Sequence, residues 1–130
     1  MKKVFLGGTC NQSLWRNELI KELTIDYFLP CGDDWTPAMM EEEIKQRALC
    51  DYCLYVITPR MTGVYSIAEL VDDSNKFPGK TIFCYLPSDG DAFFTSVQIR
   101  SLEQVAKMVR NNGARVFHNL AEVAHFLNNH

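Results

Sequence analysis

Carboxylates beside the ends of apolar runs are the residues of this chain best suited to chemistry, because two acids sharing one site can divide nucleophile and proton-donor roles. The candidates are Asp33, Asp34, Glu43, Asp51 and Glu69. Glu69 closes the segment Gly63-Val64-Tyr65-Ser66-Ile67-Ala68-Glu69, and Glu43 is the last of three consecutive glutamates. Each also has an ordinary explanation, since most acids are solvated surface and negative charge early in a helix suits the helix dipole. On a wheel of about 100° per residue, Glu69 lies about 170° from the centre of the stripe Leu70, Ile67, Val71, Val64 and Ala68. It is therefore expected to point away from the core, as a surface carboxylate, a cleft wall or a subunit contact.

Gly7-Gly8-Thr9 follows an apolar run and precedes a helical pattern, where backbone N–H groups and a helix start can hold a phosphate or a sugar hydroxyl. A tight turn that needs glycine explains it equally well. The segment is neither a dinucleotide fingerprint nor a phosphate-binding P-loop. Trp35, beside Asp33-Asp34, can stack on a planar base or fold back onto the domain. His118, His125 and His130 have no partner at metal spacing, so no metal site is expected, and no Ser-His-Asp or Cys-His set emerges. Cys50-Asp51-Tyr52-Cys53 closes a helix and opens a strand, the reverse of the order a thioredoxin-type site needs. The five cysteines are expected to be reduced thiols of a cytoplasmic protein.

The elements that must position these groups follow from the pattern. With 130 residues, 47% hydrophobic and 22% charged, the chain is expected to form one domain, 1–130, around one core. A net charge of −3 without a Lys/Arg cluster disfavours nucleic acid, and no apolar run approaches a membrane span. Residues 3–6, 24–29, 52–58, 81–86 and 115–117 read as strands. Helical patterns lie between them, including one from Thr36-Pro37 to about Leu49 and one carrying Val64, Ile67, Ala68 and Val71. The alternation predicts a flavodoxin-like, doubly wound α/β fold: a five-stranded parallel sheet with helices on both faces. Ligands of such folds sit at the carboxyl ends of the strands.

The segments Lys3 to Cys10, Asp34-Trp35-Thr36-Pro37, and Cys53 to Pro59 continuing through Gly63 to Glu69 together resemble the nucleoside 2-deoxyribosyltransferase-like family. The resemblance implies that Glu69 is a nucleophile that attacks the anomeric carbon of a nucleoside and displaces the base. Relatives carry an aspartate one helix earlier, about two turns before the Asp that opens the middle strand. Counting back from Asp51 reaches Glu43, which the resemblance makes the second catalytic carboxylate. Some transferases also carry an aspartate six residues before the nucleophile, where this chain has Gly63. The implied substrate-binding residues are Gly7, Gly8, Thr9, Asp34, Trp35, Gly63 and Tyr65. The implied ligand is a nucleoside or nucleoside monophosphate, without a cofactor, in a homo-oligomer that closes the site. A non-catalytic nucleotide-binding module and a domain without small ligand are the competing readings.

Overall fold

Each of the five apolar runs enters one parallel sheet in the computed structural model, which describes residues 1–10, 12–30 and 36–130. The strands are β1 (Lys3–Gly8), β2 (Asp26–Phe28), β3 (Tyr52–Ile57), β4 (Thr81–Tyr85) and, after a short hairpin of β5 (Ser88–Asp89) and β6 (Ala92–Phe93), β7 (Arg115–Phe117). Their order is β2-β1-β3-β4-β7, the flavodoxin-like arrangement expected, with the reversal between β1 and β3. The helices are α1 (Trp15–Glu22), α2 (Pro37–Leu49), α3 (Tyr65–Lys76), α4 (Ser96–Asn111) and α5 (Leu120–Asn129).

Period-two alternation divides the strand side chains between two cores. Val4, Leu6, Leu54, Val56, Ile82 and Cys84 pack against Trp15 and Leu19 of α1 and Val123, Ala124 and Leu127 of α5. Phe5, Cys53, Tyr55, Ile57 and Phe83 face Leu70 of α3 and Leu102, Ala106 and Val109 of α4. Every residue of β3 is buried, as expected of a strand paired on both edges and covered on both faces. No described helix is long and apolar enough to cross a membrane.

Three expectations need correction. Gly7 and Gly8 continue β1 instead of ending it, pairing with Tyr55 and Val56. The buried face of α3 is Glu69, Leu70, Asp73 and Ser74, whereas Val64 is 68% exposed. The wheel failed because it assigns every polar side chain to solvent, and this helix buries polar groups that find partners. Among the cysteines, Cys50, Cys53 and Cys84 are free and buried, but Cys10 is disulfide-bonded. Local sequence carries no record of which thiols approach one another.

Candidate active site

The two glycines of β1 make room for the residues that organise the site. A Cβ on Gly7 would stand 2.9 Å from the Tyr55 ring. On Gly8, whose φ is +116°, a Cβ would fall 2.0 Å from the Val56 carbonyl oxygen. Thr9 then locks the strand end: its N–H donates to Val56 O at 2.8 Å, and its hydroxyl accepts from the N–H of Thr58 at 2.9 Å. Arg16 of α1 caps this turn from beneath, donating through Nε to Leu6 O at 2.9 Å, through Nη2 to Gly8 O at 3.3 Å, and through Nη1 to Thr9 O. Burial lowers its guanidinium to about 10, while the negative charge of Glu43 acts in the opposite direction.

Tyr55 projects from β3 under Gly7 and donates its hydroxyl to Asp73 of α3. Asp73 also receives a forked contact from Arg47 of α2, with Nε 3.0 Å from Oδ1 and Nη2 2.8 Å from the same oxygen. Arg47 Nη2 reaches Asp72 Oδ2 at 2.8 Å. The third nitrogen, Nη1, faces Glu69 Oε2 at 3.8 Å, an ion pair too long to be a hydrogen bond. Ser66, one turn before Glu69, donates to Gly8 O at 3.3 Å and joins α3 to the end of β1.

Glu69 is thus held between two helices, with only 7% of its surface exposed. Burial raises its carboxyl to about 7; the charge of Glu43 adds to the rise and that of Arg47 opposes it. Glu43 is half-buried and also displaced upward, by burial, against the lowering effect of Arg47 and Arg16. Arg47 acts on both carboxylates and the charge of Glu43 acts on Glu69, so the proton affinities of the two acids are linked.

Beside the reversal between β1 and β3 the β5–β6 hairpin adds a third acid. Asp89 Oδ2 accepts from Ser13 Oγ at 2.6 Å and from Thr58 Oγ1 at 2.7 Å, while Oδ1 lies 3.7 Å from Arg60 Nε. These contacts strap the hairpin to the loops that follow β1 and β3.

The structure therefore brings Glu69, Glu43, Gly7, Gly8 and Thr9 into one neighbourhood. Thr9 is buried, with its hydroxyl and N–H both engaged in holding the backbone. Gly63 and Tyr65 are exposed before and at the start of α3, and a Cβ on Gly63 would meet nothing within 4 Å. Asp34 and Trp35 lie outside the described residues. Arg16, Arg47, Tyr55, Asp73 and Asp89 were not singled out by sequence reasoning. A signal existed for two of them: Arg47 follows Glu43 by four and Asp73 follows Glu69 by four, which places each on the same helical face as its glutamate. Asp89 had none, because two-residue strands carry no periodicity.

The fold and this acid pair define an α/β domain with flavodoxin-like topology and two carboxylate-bearing helices beside the central strand. The family described as "Nucleoside 2-deoxyribosyltransferase like" matches residues 1–88, and the chain belongs to that family. The match takes in β1 to β4 and α1 to α3, hence Glu43, Arg47, Glu69 and Asp73. No curated protein and no solved structure matches the chain.

Proposed function

We propose that the protein cleaves the base–sugar bond of a nucleoside or nucleoside monophosphate, with Glu69 as nucleophile and Glu43 as the acid that assists the leaving base. The observation that carries this reading is the burial of Glu69 between the charge of Glu43 and the guanidinium of Arg47. In the first step a carboxylate oxygen of Glu69 forms a bond to the anomeric carbon as the C–N bond breaks. The base leaves with the bonding pair and takes a proton from Glu43. The resulting glycosyl ester is opened by water or by a second base, whose proton returns to Glu43, and Glu69 is regenerated. The 3.8 Å approach of Arg47 Nη1 stabilises the carboxylate and leaves its oxygen available to the electrophile.

Chromatography of incubations with deoxynucleosides and nucleoside monophosphates is expected to show free base. Glu69→Gln is expected to lower its release at least about a thousandfold. Equal release by wild type and Glu69→Gln would remove Glu69 as nucleophile. Saturable stabilisation by a nucleotide that stays chemically intact would instead support the binding-module reading, to which the missing acid at Gly63 belongs.

A further inference from the structure

We propose that Arg47 is the positioning residue of this site: clamped on Asp72 and Asp73, it ties the helix that bears Glu43 to the helix that bears Glu69 and holds the Glu69 carboxylate in its working place. The inference rests on Glu69 being the reacting carboxylate, and it assigns the group that sets the geometry of the acid pair.

Helix α2 carries Glu43 yet has no buried residue, so apolar packing does little to fix it against the rest of the molecule. Its attachments gather at the carboxyl-terminal end. The carbonyl of Arg47 accepts from Cys53 Sγ and from Lys80 Nζ, each at 3.2 Å, and Lys80 also reaches Ala48 O at 3.0 Å. Among the described residues, every hydrogen bond and ion pair between the side chains of α2 and α3 passes through the Arg47 guanidinium.

The clamp has a rigid foundation. Asp73, with 4% of its side chain exposed, is fixed from the opposite side by the Tyr55 hydroxyl, and Tyr55 belongs to the fully buried central strand. A planar guanidinium offers Nε and Nη2 to Asp73 and Asp72 while Nη1 still faces Glu69; one ammonium cannot occupy these three directions together. The charged groups acting on Glu69 are Glu43 and Arg47 from α2 and Asp73 from its own helix, with the Tyr55 phenol of β3 behind Asp73. Arg47 is the cation of that set.

The test is a carbon-13 NMR titration of the Glu69 carboxyl in wild type, Arg47→Met and Arg47→Lys, with near-ultraviolet circular dichroism confirming the fold of each. The wild-type midpoint is expected near 7. Arg47→Met is expected to move it upward by about one pH unit or more, and Arg47→Lys by a smaller amount in the same direction. Arg47→Lys keeps a cation beside Asp73 and carries the test where Arg47→Met does not fold. In turnover, Arg47→Lys is expected to lower kcat about tenfold and leave KM within about twofold. A Glu69 midpoint within about 0.2 unit of wild type in a folded Arg47 variant would overturn the proposal, because an opposite charge this close should act on it. If wild type releases no base while the Arg47 variants still shift Glu69, the clamp stands and the glycosyl reading alone falls.

Discussion

Ionising Glu69 inside the protein is harder than ionising it in the unfolded chain, and this difference couples activity to stability. Its folded carboxyl lies near 7, above the ordinary value of 4.5. Between those two values the unfolded chain has released the proton and the folded protein has not, so stability falls as pH rises through this window and levels off above about 7. Glu69→Gln removes the ionisation and is expected to be more stable than wild type at pH 8 by on the order of 2 kcal/mol. At about pH 3, where Glu69 is protonated in both states, the two proteins should unfold alike in urea. Equal stability at pH 8 would mean that the carboxylate bears no such strain. For the same reason, base release should rise as Glu69 ionises through about 7 and fall where Glu43 loses the proton it gives the base, a bell-shaped pH profile.

At the scale of elements, β1 and β3 are joined by close backbone approach, and Gly8 carries it. Gly8→Ala would place a methyl group 2.0 Å from Val56 O at a φ of +116°, so the variant is expected to lose at least about 3 kcal/mol or fail to fold, as measured by chemical denaturation. Gly63 is the opposite case. It stands in open space ahead of α3, without a left-handed backbone, so Gly63→Asp should fold with an unchanged Tm. In the proposed reaction the restored acid is expected to increase the fraction of glycosyl ester captured by a second base relative to water. A product ratio equal to wild type would show that this position does not govern the acceptor.

For the whole molecule, the uncovered apolar surface of α2 bears on assembly. Met40 and Ile44 are 47% and 65% exposed on a helix with no fully buried residue, and Val64 and Tyr65 are exposed at the start of α3. We propose that these residues meet a second copy in a homo-oligomer, as the family resemblance implies. Sedimentation velocity is expected to give a mass above that of one chain, and Ile44→Lys to shift it towards the monomer. A wild-type protein that sediments as one chain of 14.9 kDa would end the oligomer proposal.

The number and type of the strands in the five-stranded parallel sheet could be read from the chain alone, because an apolar run or an alternating pattern is a local property and records how much of a segment lies out of water, whereas the β5–β6 hairpin was too short to show one. Tyr52 to Ile57 announced itself as the central strand for that reason, and Thr36-Pro37 marked the start of α2, where the Thr36 hydroxyl accepts from the Met39 N–H. The identity of Glu69 as a candidate came from its segment, but its surroundings did not. Whether a polar residue is buried depends on partners that arrive from distant parts of the chain: Arg47 lies 26 positions before Asp73, and Tyr55 lies 18 before it. Only the tertiary structure brought these charges together, turned Glu69 inward against the hydrophobic pattern of its own helix, and so decided where its proton is held.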